Sequence, residues 1–266
     1  MMINIDYKNG IKILLDEYKE VLNEEIKEGL IWRYKIENRK LSYEDQQELL
    51  KDIIVQLLIQ GRSAKGVESQ INNINGVIGK WSIENVEKNL DTLRMSDRKI
   101  QKLREILQHL KSNSIGDWII ELHEDNNHIP RMGPKSDDDF LKSHGFYEHI
   151  PVDRHYQRFL FRTGIIHWYL KRNNDDVLIL FGGDYEKKYK LFQKIVVAFC
   201  KKFCNDIYIH IPNGKLRLAE NPSILDIVIW RHCGEDENLG CRNICGNRPI
   251  CNECVFKEAC LWYILR

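Results

Sequence analysis

Four cysteines, Cys245, Cys251, Cys254 and Cys260, lie within sixteen residues near the end of the chain, spaced C-x5-C-x2-C-x5-C. Four thiolates delivered by one short loop can surround a single compact metal centre, which scattered buried cysteines do not. A tetrahedral zinc accepts four cysteines as readily as an iron–sulfur cluster does, so the ligand set alone leaves the metal open. Cys233 and Cys241 precede the group, and Cys241 could stand in for Cys245 as first ligand. Cys200 and Cys204, four apart on an apolar helical pattern, read as core residues. The opening Met-Met-Ile-Asn-Ile-Asp carries no basic-then-apolar leader, so a cytosolic protein is expected, where metal ligation outweighs disulfides for eight cysteines.

A second candidate lies upstream. Ile129-Pro130-Arg131-Met132-Gly133-Pro134-Lys135 separates two helical patterns, and its Pro and Gly positions suit a tight hairpin followed at once by a helix start. Such a turn presents backbone N–H groups that could seat a phosphate. Lys135 then falls at the positive end of a helix, where the dipole and partial burial both disfavour the ammonium form and favour a nucleophilic amine. Eighteen residues further on is Asp153, in His149-Ile-Pro-Val-Asp153-Arg-His155-Tyr-Gln-Arg158. The acidic run Asp137–Asp139 reads as compensation for the helix dipole rather than as catalytic machinery.

The elements that must position these groups are mostly helical. Apolar residues recur at helical spacing from Lys8 to Trp32, and Ser42-Tyr-Glu-Asp opens a capped helix running through Leu57-Leu58-Ile59. Further helices fit Gly66–Ile78, Ser82–Leu90, Ser96–Lys111 and Ile115–His123, with strands expected only at Val177–Phe181 and Ile207–Ile211. Linker-like stretches are Arg172–Asp176, Pro212–Gly214 and Gly234–Gly240. With 40 Lys plus Arg against 39 Asp plus Glu, no global field draws the chain to a polyanion, so nucleic-acid binding has to be local. No apolar run approaches a membrane span.

Taken together, the hairpin, the Asp segment and the cysteine loop resemble the helix-hairpin-helix DNA glycosylases of the endonuclease III superfamily. Ile129, Pro130, Gly133 and Lys135 match that family's Leu-Pro-Gly-Val-Gly-Arg-Lys hairpin; Val152, Asp153, His155 and Arg158 match its Val-Asp-Thr-His-Val-x-Arg segment. The family's cluster loop reads C-x6-C-x2-C-x5-C, and this chain shortens the first gap by one residue, which favours Cys245 over Cys241. Two departures stand in the hairpin: Arg131 replaces the first Gly, and acidic residues follow Lys135 where the family has small and apolar ones.

The resemblance implies a two-lobed, mostly all-α fold. Its expected parts are N-terminal helices over 1–48 packed on the C-terminal lobe, a helical barrel over 49–150 with the hairpin, and a lobe over 151–266 with the Asp and the cluster loop. A cleft between lobes would take DNA and bring Lys135 opposite Asp153. It implies a bifunctional glycosylase and abasic-site lyase: Lys135 forms an imine with the sugar, and Asp153 stabilises the charge that builds as the base departs. Pro130, Arg131, Met132, Gly133, His155 and Arg158 would contact DNA, and Gln60 or Arg62 would fill the gap left by the extruded base. A [4Fe-4S] cluster would sit on Cys245, Cys251, Cys254 and Cys260, with Arg248 and Lys257 of its loop near phosphates. The expected partner is duplex DNA with a damaged or mismatched base, met by a monomer. Alternatives are a monofunctional glycosylase in which Asp153 activates water, and a non-catalytic DNA-binding module using zinc. Trp118, Phe140, Phe146, Tyr147, Tyr156 and Trp168 read as core rather than as a base-stacking pocket.

Overall fold

The computed structural model describes residues 5–59, 71–72, 74–75, 78, 80–174, 176–212, 214–235 and 240–265. The chain is mostly helical and divides into two compact units, residues 28–146 and residues 1–27 with 147–266. The single helix expected from Lys8 to Trp32 is instead two, α1 (Tyr7–Glu17) and α2 (Lys19–Glu37), broken at Tyr18. Among the described residues no helix is long and apolar enough to cross a membrane.

In the unit of residues 28–146, α3 (Tyr43–Ile59) begins with a reciprocal cap. Ser42 Oγ accepts the Asp45 N–H at 3.1 Å, and the Asp45 carboxylate accepts the Ser42 N–H at 2.9 Å. Leu49, Leu50, Ile53, Ile54, Leu57 and Leu58 then recur at helical spacing and are all buried. They pack on α5 (Asp97–Leu110), α6 (Ile115–His123) and α7 (Pro134–Ser143), with the short α4 (Ile83–Lys88) against α5. Trp118, Met132, Phe140 and Phe146 complete this core. Most of the helix expected over Gly66–Ile78 lies outside the described residues, as do Gln60 and Arg62.

Gly145 closes α7 with φ of 88°, and a Cβ there would stand 2.3 Å from the backbone oxygen of Gly29. Left-handed strain and a clash with backbone act together at this position. Gly145→Ala is expected to cost about 3 kcal/mol or more, read as a lowered melting temperature; an unchanged melt would contradict this packing.

In the other unit, α8 (Arg154–Thr163) packs on α9 (Ile165–Leu170), α12 (Ile224–Cys233) and the terminal α13 (Leu261–Ile264), and α11 (Tyr185–Phe203) packs on α9 and α10 (Asp176–Phe181). The segment Val177–Phe181, expected as a strand, is helical as part of α10. A short apolar run does not distinguish strand from helix by periodicity, and here Asp176 accepts from Tyr169 Oη at 2.9 Å and Lys194 Nζ at 3.1 Å at the helix start. Strand β1 (Tyr208–Ile211) is where the sequence places it; its antiparallel partner β2 (Gly214–Arg217), whose Gly214 pairs with Ile211, was not foreseen. Cys200 and Cys204 are buried in the core of this unit.

Candidate functional site

The hairpin joins α6 to α7, and charged side chains fix it from within. Pro130 turns its carbonyl to Trp118 Nε1 at 3.0 Å. Asp137, only 1% exposed, accepts the Met132 and Gly133 N–H groups on Oδ1 at 3.0 and 3.3 Å, and Arg131 Nε on Oδ2 at 3.0 Å. The other arm of Arg131 reaches Asp125 at 2.5 Å. From α5, Lys102 Nζ donates to the Met132 carbonyl at 2.5 Å. Two amides of the expected phosphate seat, those of Met132 and Gly133, are thus already satisfied by a carboxylate of the chain itself. Gly133 adopts φ of 129°, which a side chain would disfavour, and a Cβ there would meet Lys102 Nζ at 3.1 Å.

Burial pushes the Asp137 carboxyl up to about 6, although Arg131 and the two amides pull the other way. With a folded value above the ordinary 3.8, the native state keeps this proton longer than the unfolded chain. Ionised Asp137 therefore costs the fold on the order of 3 kcal/mol above about pH 6, and that cost disappears as the pH falls to about 4.

Lys135 is the second residue of α7, after Gly133 as N-cap and Pro134 as first helical residue. Its side chain is half-buried, and no described residue accepts a hydrogen bond from its ammonium. Asp139, one turn along, is raised by burial but drawn below the usual carboxylate range by the Lys142 and Lys135 charges and by a hydrogen bond from Gln56 of α3.

Asp153 is the N-cap of α8. One oxygen accepts both the His155 and Tyr156 N–H groups at 2.8 Å, satisfying two orphan amides of the first turn. Its second oxygen has no hydrogen-bond partner among the described residues. His155 is buried, with Nδ1 3.1 Å from the Cys233 carbonyl oxygen. Burial depresses its pKa, Asp153 opposing. Arg158 Nη2 donates to Asn247 Oδ1 at 2.7 Å, so its guanidinium braces the cysteine loop.

Cys245, Cys251, Cys254 and Cys260 line one recess with Arg162, Lys257 and Trp262, whereas Cys241 is buried away from it against Gly234. Among the described residues, no three His, Cys, Asp or Glu side chains stand close enough to share a single metal ion. Arg162 Nη1 donates to the Cys245 and Gly246 carbonyl oxygens at 3.0 and 2.7 Å and lies 3.5 Å from Cys245 Sγ. A hydrogen bond from Cys233 and the Arg162 charge hold the Cys245 thiol down at about 6 against burial, while burial pushes Cys254 up to about 12. Behind Cys254, His232 Nε2 lies 3.2 Å from Sγ and Nδ1 lies 3.1 Å from Tyr18 Oη. Burial lowers the His232 pKa to about 4, so the ring is neutral at neutral pH and donates from one nitrogen only. Arg248 is exposed; Lys257 is half-buried and donates to the Asn252 carbonyl oxygen.

Trp118, Phe140, Phe146, Tyr147 and Tyr156 are buried core residues, and Trp168 is half-buried with its ring edge-on to Phe203. Sequence reasoning missed Lys102, Arg162 and His232. Arg162 was recoverable, one helical turn after Arg158 on the same face. Lys102, thirty residues from Met132, gives no local signal.

The mostly helical frame that carries this hairpin has the fold of a solved DNA glycosylase. That structure is the crystal structure of the 8-oxoguanine DNA glycosylase of Thermotoga maritima, to which this chain is similar with a TM-score of 0.53 at 15% identity, covering 84% of this chain and 93% of that one. No protein-family model matches the chain, and no curated protein matches it in sequence.

Proposed function

We propose that the chain is a DNA glycosylase with abasic-site lyase activity, acting in base excision repair on duplex DNA that carries an oxidised base. The observation that carries this reading is Lys135, half-buried at the first turn after the hairpin with no described acceptor, in a fold shared with a glycosylase that acts on oxidised guanine. The amine of Lys135 attacks the sugar C1′ as the C1′–N bond to the base breaks. Loss of a proton from nitrogen and opening of the ring give an imine, and removal of a C2′ proton expels the 3′ phosphate. Water then hydrolyses the imine and returns the lysine.

Asp153 stabilises the positive charge on the sugar with its unoccupied oxygen. Asp153→Asn keeps a competent N-cap, so the fold should persist while single-turnover base release falls by about 10²–10⁴-fold. A rate within threefold of the parent would remove Asp153 from the chemistry.

Cys245, Cys251, Cys254 and Cys260 hold a [4Fe-4S] cluster, and their common recess supports this set over one with Cys241. Such a cluster supplies a cross-link that fixes the loop; Arg158 and Arg162 hold the same loop from α8. Arg248, at its exposed surface, contacts a phosphate.

Borohydride trapping tests the function. The panel comprises duplexes with an abasic site, thymine glycol, dihydrouracil, oxidised guanine, and T·G and U·G mismatches. A covalent adduct supports the lysine mechanism and identifies the substrate class. Base release without adduct points to water activated by Asp153, and neither outcome points to a binding module.

A further inference from the structure

The two departures from the family hairpin, Arg131 for glycine and Asp137 for a small residue, are ion-paired with each other at 3.0 Å. We propose that they form one device: Asp137 is a positioning residue whose carboxylate occupies the hairpin amides in place of an outside anion and so sets the hairpin, and with it Lys135, before DNA arrives. This rests on the reading of Lys135 as nucleophile.

The geometry carries the proposal. Both polar groups of the Met132 backbone are engaged by charged side chains, its N–H by Asp137 and its C=O by Lys102. Met132 itself is fully buried, Gly133 is in a conformation that favours glycine, and Lys135 follows two residues later. A carboxylate seated on the amides therefore fixes the start of α7, where the lysine stands. In a hairpin with glycine at position 131, close backbone packing could supply this rigidity. Here the Arg131 side chain needs an anchor, and Asp125 and Asp137 provide it. The charged groups facing Asp137 are Arg131 from the hairpin and Lys102 from α5, the latter beside Arg98, with Asp125 beyond Arg131. Ionised Asp137 is the form that completes the pairing, and its protonation weakens the hold on Arg131. The arrangement trades stability for preorganisation, because the ionised carboxylate is buried.

A purely structural residue and a positioning residue therefore give opposite signatures. In Asp137→Asn the penalised charge is gone, so the melting temperature at pH 8 should be equal to or above that of the parent. Single-turnover imine trapping at saturating DNA should nonetheless fall about 10–100-fold, the scale of a reacting group misplaced by about an ångström. The parent trapping rate should also drop as the pH is lowered through about 6, and that inflection should vanish in the variant. Parent-like trapping by Asp137→Asn, or trapping lost only in step with melting, would overturn the proposal. If the parent forms no adduct on any duplex, the lysine reading fails by itself, and the hairpin is read by NMR instead. The Met132 and Gly133 amide protons should titrate together with a midpoint near 6, and amides indifferent to pH would overturn the clasp.

Discussion

Lys135→Gln is expected to abolish the borohydride-trapped adduct and to lower strand cleavage at an abasic site by roughly 10³-fold or more, the scale of losing a covalent nucleophile. Gln keeps the unbranched form and helix propensity of the lysine, and no described residue depends on Lys135 for a hydrogen bond, so the melting temperature should hold. A surviving adduct would move the nucleophile to another amine. Lys102 would be the first to examine, since it also stands beside Gly133, but its amine is committed to the Met132 carbonyl oxygen. Base release that persists in Lys135→Gln without strand cleavage would separate the two halves of the reaction and give Asp153 the glycosylase half alone.

The second large effect concerns the cysteine loop. Anaerobically purified parent protein is expected to carry about four iron atoms per chain and to absorb near 400 nm, whereas Cys254→Ser should lose both. Cys254 is the strongest choice because the His232 ring lies 3.2 Å from its sulfur, so the substitution alters a buried contact along with the proposed ligand. Without its cross-link the loop must rely on Arg158, Arg162 and local turns, and thermal unfolding should begin at a lower temperature. Cys241→Ser serves as the control: a retained chromophore confirms Cys245 as first ligand, and a colourless Cys241→Ser protein would reverse that assignment. A parent that binds one zinc and no iron under anaerobic conditions would overturn the cluster.

Much of this was written locally in the chain. The capping pair Ser42 and Asp45, the apolar stripe of α3, and the Pro and Gly of the hairpin act within a few residues of themselves, so their consequences are visible in sequence order. The same holds for Asp153, whose capping of α8 needs only the next three residues. Five aromatics read as core are buried, because large apolar groups between amphipathic helices have few other destinations. The run Val177–Phe181 misled, since its apolar composition is shared by strands and helices, and it leaves Leu178 and Phe181 largely exposed.

What only tertiary structure decided are the partnerships across long sequence separations. Asp137 read as a helix-dipole residue; its burial in the surrounding core is what raises its pKa, against the pull of Arg131 and the two hairpin amides it holds. Likewise Arg162, Cys245, Tyr18, His232 and Cys254 come from distant stretches, and no spacing rule brings them together. Sequence determined the elements and the chemical groups, because propensity, capping and periodicity act between neighbours. Structure decided which groups are buried against which charges, because desolvation and Coulomb energy depend on distance in space rather than along the chain.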